Sequence, residues 1–349
     1  MTARESDGKR QSAPLRTAGI ALVLLVMVGG VLAHSFWRQD AGEPVEISDF
    51  LMDTYVTVQV GSRFREEARQ ALEEMERLEQ IFDRYTPGSD VARVNEAGGA
   101  WVEVSPEMID VLERTREARE RGLFQVTVGP LVDVWGFGTN DPAVPDPESL
   151  ARALDLVGDD RLEVDSQGLR VRLSQPGMSL DMGGLAKGYI VEMAGEYLAS
   201  RGVPWGLVNA GGDIRAVGFR PDGNPWRVGV RHPRAEGDLV GIAYVGDLAV
   251  ATSGDYQRFF TQDGQRYHHI LNVRTGYPAE EVISVTVVAA DVTIADVLST
   301  EVFLLEAQEG LALLESLAGV EGVIVDEDQE VHLTSGLESE GKVPWFEPR

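Results

Sequence analysis

The stretch that decides the fold is SLDMGGLAKGYI, residues 179–190. Its apolar lead-in, residues 178–181, predicts a short buried strand, and two glycines follow it as a tight turn. After the turn, apolar residues recur at helical spacing until Gly202, which predicts a helix. A strand, a Gly-Gly turn and a helix start together form the geometry of an anion site, because free backbone N–H groups and the positive end of the helix dipole meet there.

Lys187 lies in the first turn of this predicted helix, where the helix dipole disfavours a cation. We therefore expect it to have a negative partner, either Asp181 or a phosphate of a ligand. The order of residues excludes a P-loop, in which the lysine directly follows the second glycine, and the chain contains no GxGxxG pattern. By itself, the stretch is equally compatible with a tight strand–helix turn that carries a surface lysine.

The composition is that of an ordinary globular protein: of 349 residues, 43% are hydrophobic and 25% are charged. This length is enough for one large or two medium domains. The chain has no cysteine, which excludes disulfides, thiolate metal sites and cysteine nucleophiles. The formal net charge of −26 argues against nucleic acid as a partner, and it means that an anionic ligand needs local cations or a metal to bind.

Residues 1–40 predict a cytoplasmic tail followed by a membrane anchor. Basic residues precede a run from residue 17 to residue 37 that contains no Asp, Glu, Lys or Arg, which is barely long enough to span a bilayer. The basic residues before the run are expected to stay in the cytoplasm. We therefore expect a single span in the inner (cytoplasmic) membrane, with residues 41–349 as one domain on the periplasmic side. The alternative is a signal peptide cleaved near Ala33, which also exports the domain.

The remainder of the chain mixes strands and helices without the regular alternation of a doubly wound sheet. Residues 43–49 are interpreted as a polar linker, and the alternation after them predicts a strand that ends near Val60. An amphipathic helix is predicted over residues 64–82, and the chain after residue 205 is rich in strands. This order of elements favours an α+β fold, with mixed, largely antiparallel sheets packed against helices.

One carboxylate and one hydroxyl near the end of the chain form a candidate metal site. Asp296 and Thr300 are four residues apart on a predicted helix, so their oxygens lie one turn apart on one face. Such hard ligands suit Mg²⁺ rather than Zn²⁺, and a carbonyl of the turn at Gly183 and Gly184 could add a further ligand. Without other residues, however, a Thr four positions after an Asp is more commonly a structural feature of a helix.

Two of the five histidines, His268 and His269, are adjacent on a predicted strand. Alternation along a strand sends their rings to opposite faces, so at most one of them faces a site. A histidine with a pKa near neutrality is suited to act as a general base on a hydroxyl group. A surface histidine, or one at the edge of the core, is the more common arrangement when a histidine is considered alone.

Eight segments of the chain resemble, in order, the motifs of the ApbE family, the FAD:protein FMN transferases. Each segment is only moderately specific, but eight in the same order make a chance resemblance implausible. The segments are MDTY (52–55), FDRYTPGSDVARVN (82–95), TVGPLVDVWGFG (127–138), SLDMGGLAKGY (179–189), LVNAGGDI (207–214), ATSGDYQRFF (251–260), YHHILNVRTGYP (267–278) and ADVLST (295–300). The resemblance implies an exported, ApbE-like single catalytic domain that uses FAD as its substrate and Mg²⁺ as its cofactor.

The resemblance also implies roles for individual residues. The main-chain oxygen of Gly184, together with Asp296 and Thr300, would form the Mg²⁺ site. His269 would be the base that deprotonates the acceptor threonine. Gln125 stands where the family has an aspartate, so an amide would partly replace a carboxylate as a flavin hydrogen-bond acceptor. The residues for which FAD contacts are implied are Met52, Arg84, Tyr85, Gln125, Lys187 and Ile270.

The reaction implied by the resemblance is the Mg²⁺-dependent transfer of FMN from FAD to a Ser or Thr hydroxyl of an exported target protein, with release of AMP. The acceptor hydroxyl would attack the FMN phosphorus, and the product would be a phosphoester-linked flavin. The expected partner is an exported subunit of a membrane redox complex. Two alternatives stay open: an FAD pyrophosphatase, in which water is the nucleophile, and an exported flavin-binding protein without turnover.

Overall fold

The computed structural model describes residues 41–338 and 342–349. Its largest element is a sheet of eight strands, all paired antiparallel. The bounds of these strands are β1 Pro44–Leu51, β2 Thr54–Gly61, β6 Gly206–Ala210, β7 Asp213–Val217, β10 Ala249–Gly254, β13 Val282–Ala289, β14 Glu321–Asp326 and β15 Val331–Leu333. The order across the sheet is β1-β2-β6-β7-β10-β13-β14-β15, so β1 and β15 are its two edges.

The described residues form nine α-helices, four of which pack on one face of this sheet. Their bounds are α1 Arg65–Phe82, α2 Asp90–Glu96, α3 Pro106–Arg114, α4 Arg116–Glu120, α5 Gly129–Trp135, α6 Pro147–Leu154, α7 Ala186–Ser200, α8 Val292–Phe303 and α9 Ala307–Glu315. Helix α1 packs on β1 and β2, α7 packs on β6 and β7, and α8 packs on β10 and β13. Helix α7 also lies between α1 and α8 and contacts both, so it forms the centre of the helical layer.

Smaller sheets complete the fold. Strands β8 Trp226–Arg231, β9 Leu239–Val245 and β16 Trp345–Pro348 form a three-stranded sheet in the order β16-β9-β8. Its apolar residues share a core cluster with the large sheet, so it covers the face opposite the helices. Strands β3 Val102–Glu103, β4 Leu162–Asp165 and β5 Arg170–Leu173 form a second three-stranded sheet, and β11 Phe259–Gln262 and β12 Gln265–His268 form a hairpin.

The buried side chains explain why these segments form these elements. Val56, Val58 and Val60 alternate along β2 and are fully buried in the same cluster as residues of α1 and α7. Every residue of β13 is buried, because helix α8 covers one of its faces and the three-stranded sheet covers the other. The α+β class with largely antiparallel sheets is confirmed, as are the predicted helices at α1 and α7.

Two local predictions are wrong. Residues 43–49 are not a linker but form most of β1, whose polar side chains are tolerated because an edge strand is exposed. Met178 and Leu180 are buried, but residues 178–181 belong to no sheet within the described part of the chain. The side chain of Asn95 bonds both the N–H and the carbonyl of Leu180, at 2.6 and 3.0 Å, and the Asp181 N–H donates to the Val126 carbonyl at 2.8 Å. These bonds satisfy the backbone without a partner strand.

The predicted tail and anchor, residues 1–40, lie outside the described residues, so this division of the chain stays a prediction. Ala41, the first described residue, is buried, and its carbonyl accepts a hydrogen bond from the Arg63 N–H at 3.1 Å. Across residues 41–338 and 342–349, no helix has both the length and the apolar character that crossing a bilayer requires.

Candidate active site

Two hairpin turns meet at one end of the large sheet. The β1–β2 hairpin turns at Met52 and Asp53, whose φ angles of 53° and 56° are those of a tight hairpin turn. The Met52 N–H donates to Glu79 Oε1 at 2.8 Å, which ties this turn to α1. The β6–β7 hairpin turns at Gly211, where an added Cβ would be only 2.6 Å from Thr54 Oγ1. The glycine therefore lets the two turns lie side by side.

Helix α7 crosses helix α8 at Gly188, and the crossing determines where Asp296 lies. A Cβ on Gly188 would be 2.6 Å from the Asp296 Cβ and 2.8 Å from the Val292 carbonyl oxygen, so the approach requires glycine. The Gly188 N–H donates to Asp296 Oδ2 at 3.0 Å. The Asp296 carboxylate is therefore bound at the N-terminus of α7, one helical turn after Gly184.

Lys187, in the same turn of α7, forms an ion pair with Asp213 at the start of β7. The expectation that Asp181 is its partner is wrong, because Asp181 bonds to Arg84 at 3.0 Å and to a backbone N–H of the Gly-Gly turn at 2.8 Å. Burial disfavours the charged ammonium, but the Asp213 and Asp296 carboxylates outweigh it and raise the pKa of Lys187. These two carboxylates explain why a cation is tolerated at a helix N-terminus.

Asp213 and Asp296 form a buried pair of carboxylates. Burial, and then the neighbouring Asp213 carboxylate, raise the pKa of Asp296 to about 8. Asp213 Oδ1 is buried and has no hydrogen-bond partner within the described part of the chain. With Lys187 charged and both carboxylates ionised, the Lys187–Asp213–Asp296 cluster carries one net negative charge, which is costly in a buried site. A divalent cation would offset this charge, so the cluster fits a hard metal ion.

The other two predicted metal ligands lie on the elements that flank this cluster. Thr300 follows Asp296 by one turn of α8, as the spacing predicts, and its Oγ1 is 3.2 Å from Ser253 Oγ. Gly184 precedes α7, and a Cβ there would be 2.8 Å from the ring of Phe124, so the turn packs directly on an aromatic side chain. The metal-binding role of Gly184, Asp296 and Thr300 stays a prediction, and their placement is compatible with it.

His269 directly follows β12, and its ring is held by one carbonyl oxygen. The His269 N–H donates to the Arg258 carbonyl at 3.1 Å, and Nδ1 lies 3.2 Å from the same oxygen. Because a carbonyl only accepts, Nδ1 carries the proton of the neutral ring and Nε2 keeps its lone pair. Burial, and then the positive charge of Arg258 with a smaller part from Lys187, lower the pKa of His269 to about 4. The ring is therefore neutral at pH 7 and Nε2 can accept a proton, but the lowered pKa makes it a weaker base than an exposed histidine.

The neighbouring His268 is used inside the core. It is buried, its Nε2 lies 2.7 Å from the Ala279 carbonyl, and its ring packs edge-on against Phe303 at 5.5 Å. The prediction that at most one of the two histidines faces a site agrees with this arrangement. Ile270 is also buried, and its N–H donates to His268 Nδ1 at 3.3 Å. The flavin contact expected of Ile270 stays a prediction.

Arg84 is shared by two carboxylates. Its guanidinium donates to Asp181 at 3.0 Å and to both oxygens of Asp133 at 3.0 Å. The next residue, Tyr85, is 65% exposed, and the guanidinium carbon of Arg84 is 5.5 Å from the centre of its ring. An exposed aromatic ring beside a fixed guanidinium is suited to stack on a flat ligand. The FAD contacts expected of Arg84, Tyr85 and Met52 stay predictions.

The amide of Gln125 bonds within the protein. Its Oε1 accepts from the Asp159 N–H at 2.5 Å, and its Nε2 donates to the Arg119 carbonyl at 3.5 Å. Thr127 Oγ1 bonds to the carboxylate of the same Asp159 at 2.8 Å, so residues 125–127 are fixed against this loop. The flavin contact expected of Gln125 stays a prediction; the amide keeps one further N–H and one further lone pair for it.

Asp213 is the candidate site residue that the sequence analysis did not single out. It lies 26 residues after Lys187, in the segment LVNAGGDI, where it directly follows the Gly-Gly turn. The sequence does show a charged residue between this turn and an apolar strand. This pattern indicates a functional carboxylate, because a carboxylate at the start of a buried strand needs a partner. Spacing along the chain does not reveal that the partner is Lys187, because the contact depends on how α7 packs on β7.

Comparison with known proteins leads to one family. The sequence model described as the ApbE family matches residues 52–324. The chain belongs to the ApbE family. Among its relatives, a protein from Klebsiella pneumoniae (strain 342) named FAD:protein FMN transferase is 31% identical over 293 residues, which cover 82% of this chain and 91% of the relative. A protein of the same name from Treponema pallidum (strain Nichols) is 33% identical over 318 residues, covering 83% and 86%.

Solved ApbE structures have the same fold as this chain. The ApbE protein from Thermotoga maritima, whose crystal structure is known, is 35% identical in sequence to this chain. The two structures superpose with a TM-score of 0.80, and the match covers 84% of this chain and 97% of that one. The flavin transferase ApbE from Vibrio cholerae is 29% identical, with a TM-score of 0.75 and the same coverage. The predicted family and fold class are therefore confirmed, and the chain is an enzyme of the flavin transferase type.

Proposed function

We propose that this ApbE-family enzyme transfers FMN from FAD to a Ser or Thr hydroxyl of an acceptor protein and releases AMP. The observation that carries the proposal is a neutral histidine base close to a buried cluster of opposite charges. The His269 ring is neutral at pH 7, and its contact with the Arg258 carbonyl leaves the lone pair on Nε2, as a base for a hydroxyl group requires. The name FAD:protein FMN transferase, carried by the relatives, supports the same reaction.

The proposed reaction consists of one proton transfer and one displacement at phosphorus. His269 Nε2 takes the proton of the acceptor hydroxyl while the hydroxyl oxygen attacks the phosphorus of the FMN half of FAD. The bond between this phosphorus and the bridging oxygen breaks, and AMP leaves with both electrons of that bond. Acceleration of such a transfer comes mainly from positioning and charge, which a rigid end of a sheet can provide.

The pyrophosphate of FAD adds negative charge to a protein whose own net charge is −26. We propose Mg²⁺ as the cofactor, because Asp296, Thr300 and the carbonyl of Gly184 are hard oxygen donors. The buried Oδ1 of Asp213 accepts no hydrogen bond from an N–H group or a hydroxyl of the described residues, which supports a cation at this position. When bound, Mg²⁺ would neutralise charge on the pyrophosphate. Lys187, which is charged because of its carboxylate neighbours, adds a fixed positive charge from the chain itself.

We further propose that the catalytic domain acts on the periplasmic side of the inner membrane. The support for this location is the uncharged run from residue 17 to residue 37 and the basic residues before it. An acceptor of such an enzyme has to be exported as well. The expected acceptor is therefore an exported or membrane-bound subunit of a redox complex.

The products formed by the full chain with FAD and Mg²⁺ test the proposed function. The reaction is run with and without a peptide that carries a flavinylation-type threonine, and the products are identified by mass spectrometry. An FMN adduct on the peptide, with an equal amount of AMP, is the expected result. Free FMN and AMP in both reactions would instead identify an FAD pyrophosphatase, and intact bound FAD would identify a flavin-binding protein.

A further inference from the structure

Two aromatic side chains are exposed next to the candidate active site. Phe50 on β1 and Tyr55 on β2 are 58% and 76% exposed, although both lie within regular strands. They stand directly opposite each other in the hairpin, and their rings meet edge to face with centres 5.5 Å apart. Large aromatic residues exposed as a contiguous pair are typical of protein interaction surfaces, where they contribute most of the binding energy.

The position of this pair relates it to the proposed chemistry. Val56 of β2 pairs with Ala210, which in turn pairs with Asp213, so Asp213 shares the helix-covered face of the sheet with Val56. Tyr55 and its partner Phe50 lie on the opposite face, because side chains alternate along each strand. Between the two aromatic residues along the chain, the exposed Asp53 has its carboxylate 3.7 Å from the guanidinium of Arg258. The carbonyl of Arg258 is the group that holds the proposed base. The aromatic pair therefore flanks the turn that contacts Arg258, on the opposite face of the sheet from the Lys187–Asp213–Asp296 cluster.

We propose that the Phe50–Tyr55 pair is the surface on which an extended segment of the acceptor polypeptide docks before flavin transfer. This inference rests on the proposed function, because it assumes that a polypeptide is the acceptor. Strand β1 is an edge of the large sheet, and within residues 41–338 and 342–349 no strand pairs with its outer side. An exposed edge with an apolar anchor beside it is a common way to bind an extended peptide.

Charge and position favour a polypeptide over a lipid surface as the partner. Exposed carboxylates lie along the same hairpin, at Glu46, Asp49 and Asp53, and they would repel an anionic membrane. The described chain enters the fold at Ala41, just before Pro44 at the opposite end of β1, and the six residue steps from Pro44 to Phe50 correspond to about 20 Å of strand. The pair is thus far from the point at which the predicted anchor reaches the domain.

The test compares the full-length wild type with the double variant Phe50→Ser/Tyr55→Ser. The acceptors are an extended peptide of about 15 residues with a central threonine and a three-residue peptide around the same threonine. The short peptide spans only about 10 Å, so it cannot bind at the site and also extend around the turn onto the face that carries the aromatic pair. We expect the double variant to raise KM for the long peptide roughly tenfold, because interface aromatic residues contribute this much on truncation. We expect kcat, the KM for the short peptide and FAD binding, measured by flavin fluorescence, to be unchanged.

Two matched variants show whether the effect is specific. Val331→Ser, on the opposite edge strand β15, removes a 44% exposed apolar side chain and should leave KM unchanged. The exchange Phe50→Tyr/Tyr55→Phe keeps an aromatic pair and should retain the wild-type KM. If the double serine variant is poorly folded by thermal unfolding, each single serine substitution replaces it, with a smaller expected rise of KM.

The possible outcomes distinguish a failure of the docking surface from a failure of the proposed function. If the double variant transfers FMN as the wild type does and its KM for the long peptide is unchanged, the docking surface is wrong, whereas the proposed function still stands. A loss of transfer that occurs only in phosphatidylglycerol vesicles, and not in detergent, indicates a lipid contact and also overturns it. If the wild type forms no FMN adduct on either peptide, the proposed function fails, and the docking surface fails with it.

Discussion

The replacement of Asp213 by Asn removes one negative charge from the Lys187–Asp213–Asp296 cluster and changes the size of the side chain very little. In the folded wild type, burial and the Asp213 carboxylate raise the pKa of Asp296 from 3.8 to about 8. Because the folded-state pKa is the higher one, folded Asp296 keeps a proton that the unfolded chain releases. The free energy of unfolding therefore falls as the pH rises from the lower value to the higher one.

The size of this effect follows from the shift itself. Over this range, each pH unit lowers the free energy of unfolding by about 1.4 kcal/mol through this one group. Asp213→Asn removes the second cause of the shift, whereas burial of Asp296 remains. We expect the variant to lose less stability than the wild type between about pH 5 and about pH 8, by about 1–2 kcal/mol. Such a difference is measurable against a total stability of about 5–15 kcal/mol.

Urea unfolding of the full chain, followed by tryptophan fluorescence in buffer with a chelator, measures this difference. Adding Mg²⁺ at about pH 8 should stabilise the wild type more than the variant, because the wild-type cluster offers the cation one more negative charge. Asp160→Asn, at a side chain that is 84% exposed, is the matched control and should follow the wild type. Equal pH slopes for the wild type and Asp213→Asn would refute the argument that Asp213 acts on Asp296.

Three further predictions address the base, the metal site and the helix crossing. His269→Ala should keep FAD binding and lower the transfer rate by about 10²–10⁴, the usual contribution of a general base; wild-type transfer in this variant would remove His269 from the mechanism, and His332→Ala on β15 is the control. Asp296→Ala should abolish activity and its dependence on Mg²⁺; activity that still rises with added Mg²⁺ would move the metal site elsewhere. Gly188→Ala places a Cβ 2.6 Å from the Asp296 Cβ, so it should lower stability by about 1–3 kcal/mol and weaken Mg²⁺-dependent stabilisation; an unchanged unfolding midpoint would show that α7 and α8 separate freely.

Local pattern and motif order were enough to predict much of this protein. The apolar spacing after Gly184 predicted helix α7, and the alternation up to Val60 predicted β2, because each element has one buried face whose period is visible in the sequence. The four-residue spacing of Asp296 and Thr300 placed them one turn apart on a helix, as they are in α8. Eight ordered motifs led to the ApbE family, which the comparison confirms.

Edge and irregular segments were harder to predict, for physical reasons. Strand β1 has few buried side chains, so no alternation of apolar residues distinguishes it from a linker. The segment before Gly183 is as apolar as a strand, yet its backbone bonds to the side chain of Asn95, about 85 residues away in sequence. Neither fact is contained in the local pattern.

The residues that carry the proposed chemistry were named from the sequence, but their partners were determined by the tertiary structure alone. The sequence indicated that Lys187 needs a negative neighbour, because a cation at a helix N-terminus is unfavourable. Only the packing of α7 on β7 and α8 selects Asp213 and Asp296 rather than Asp181. The pKa of His269 is lowered and the pKa of Asp296 is raised by burial and by charged groups that are distant in sequence. Both causes act only after folding, because folding buries these side chains and brings the charged groups next to them.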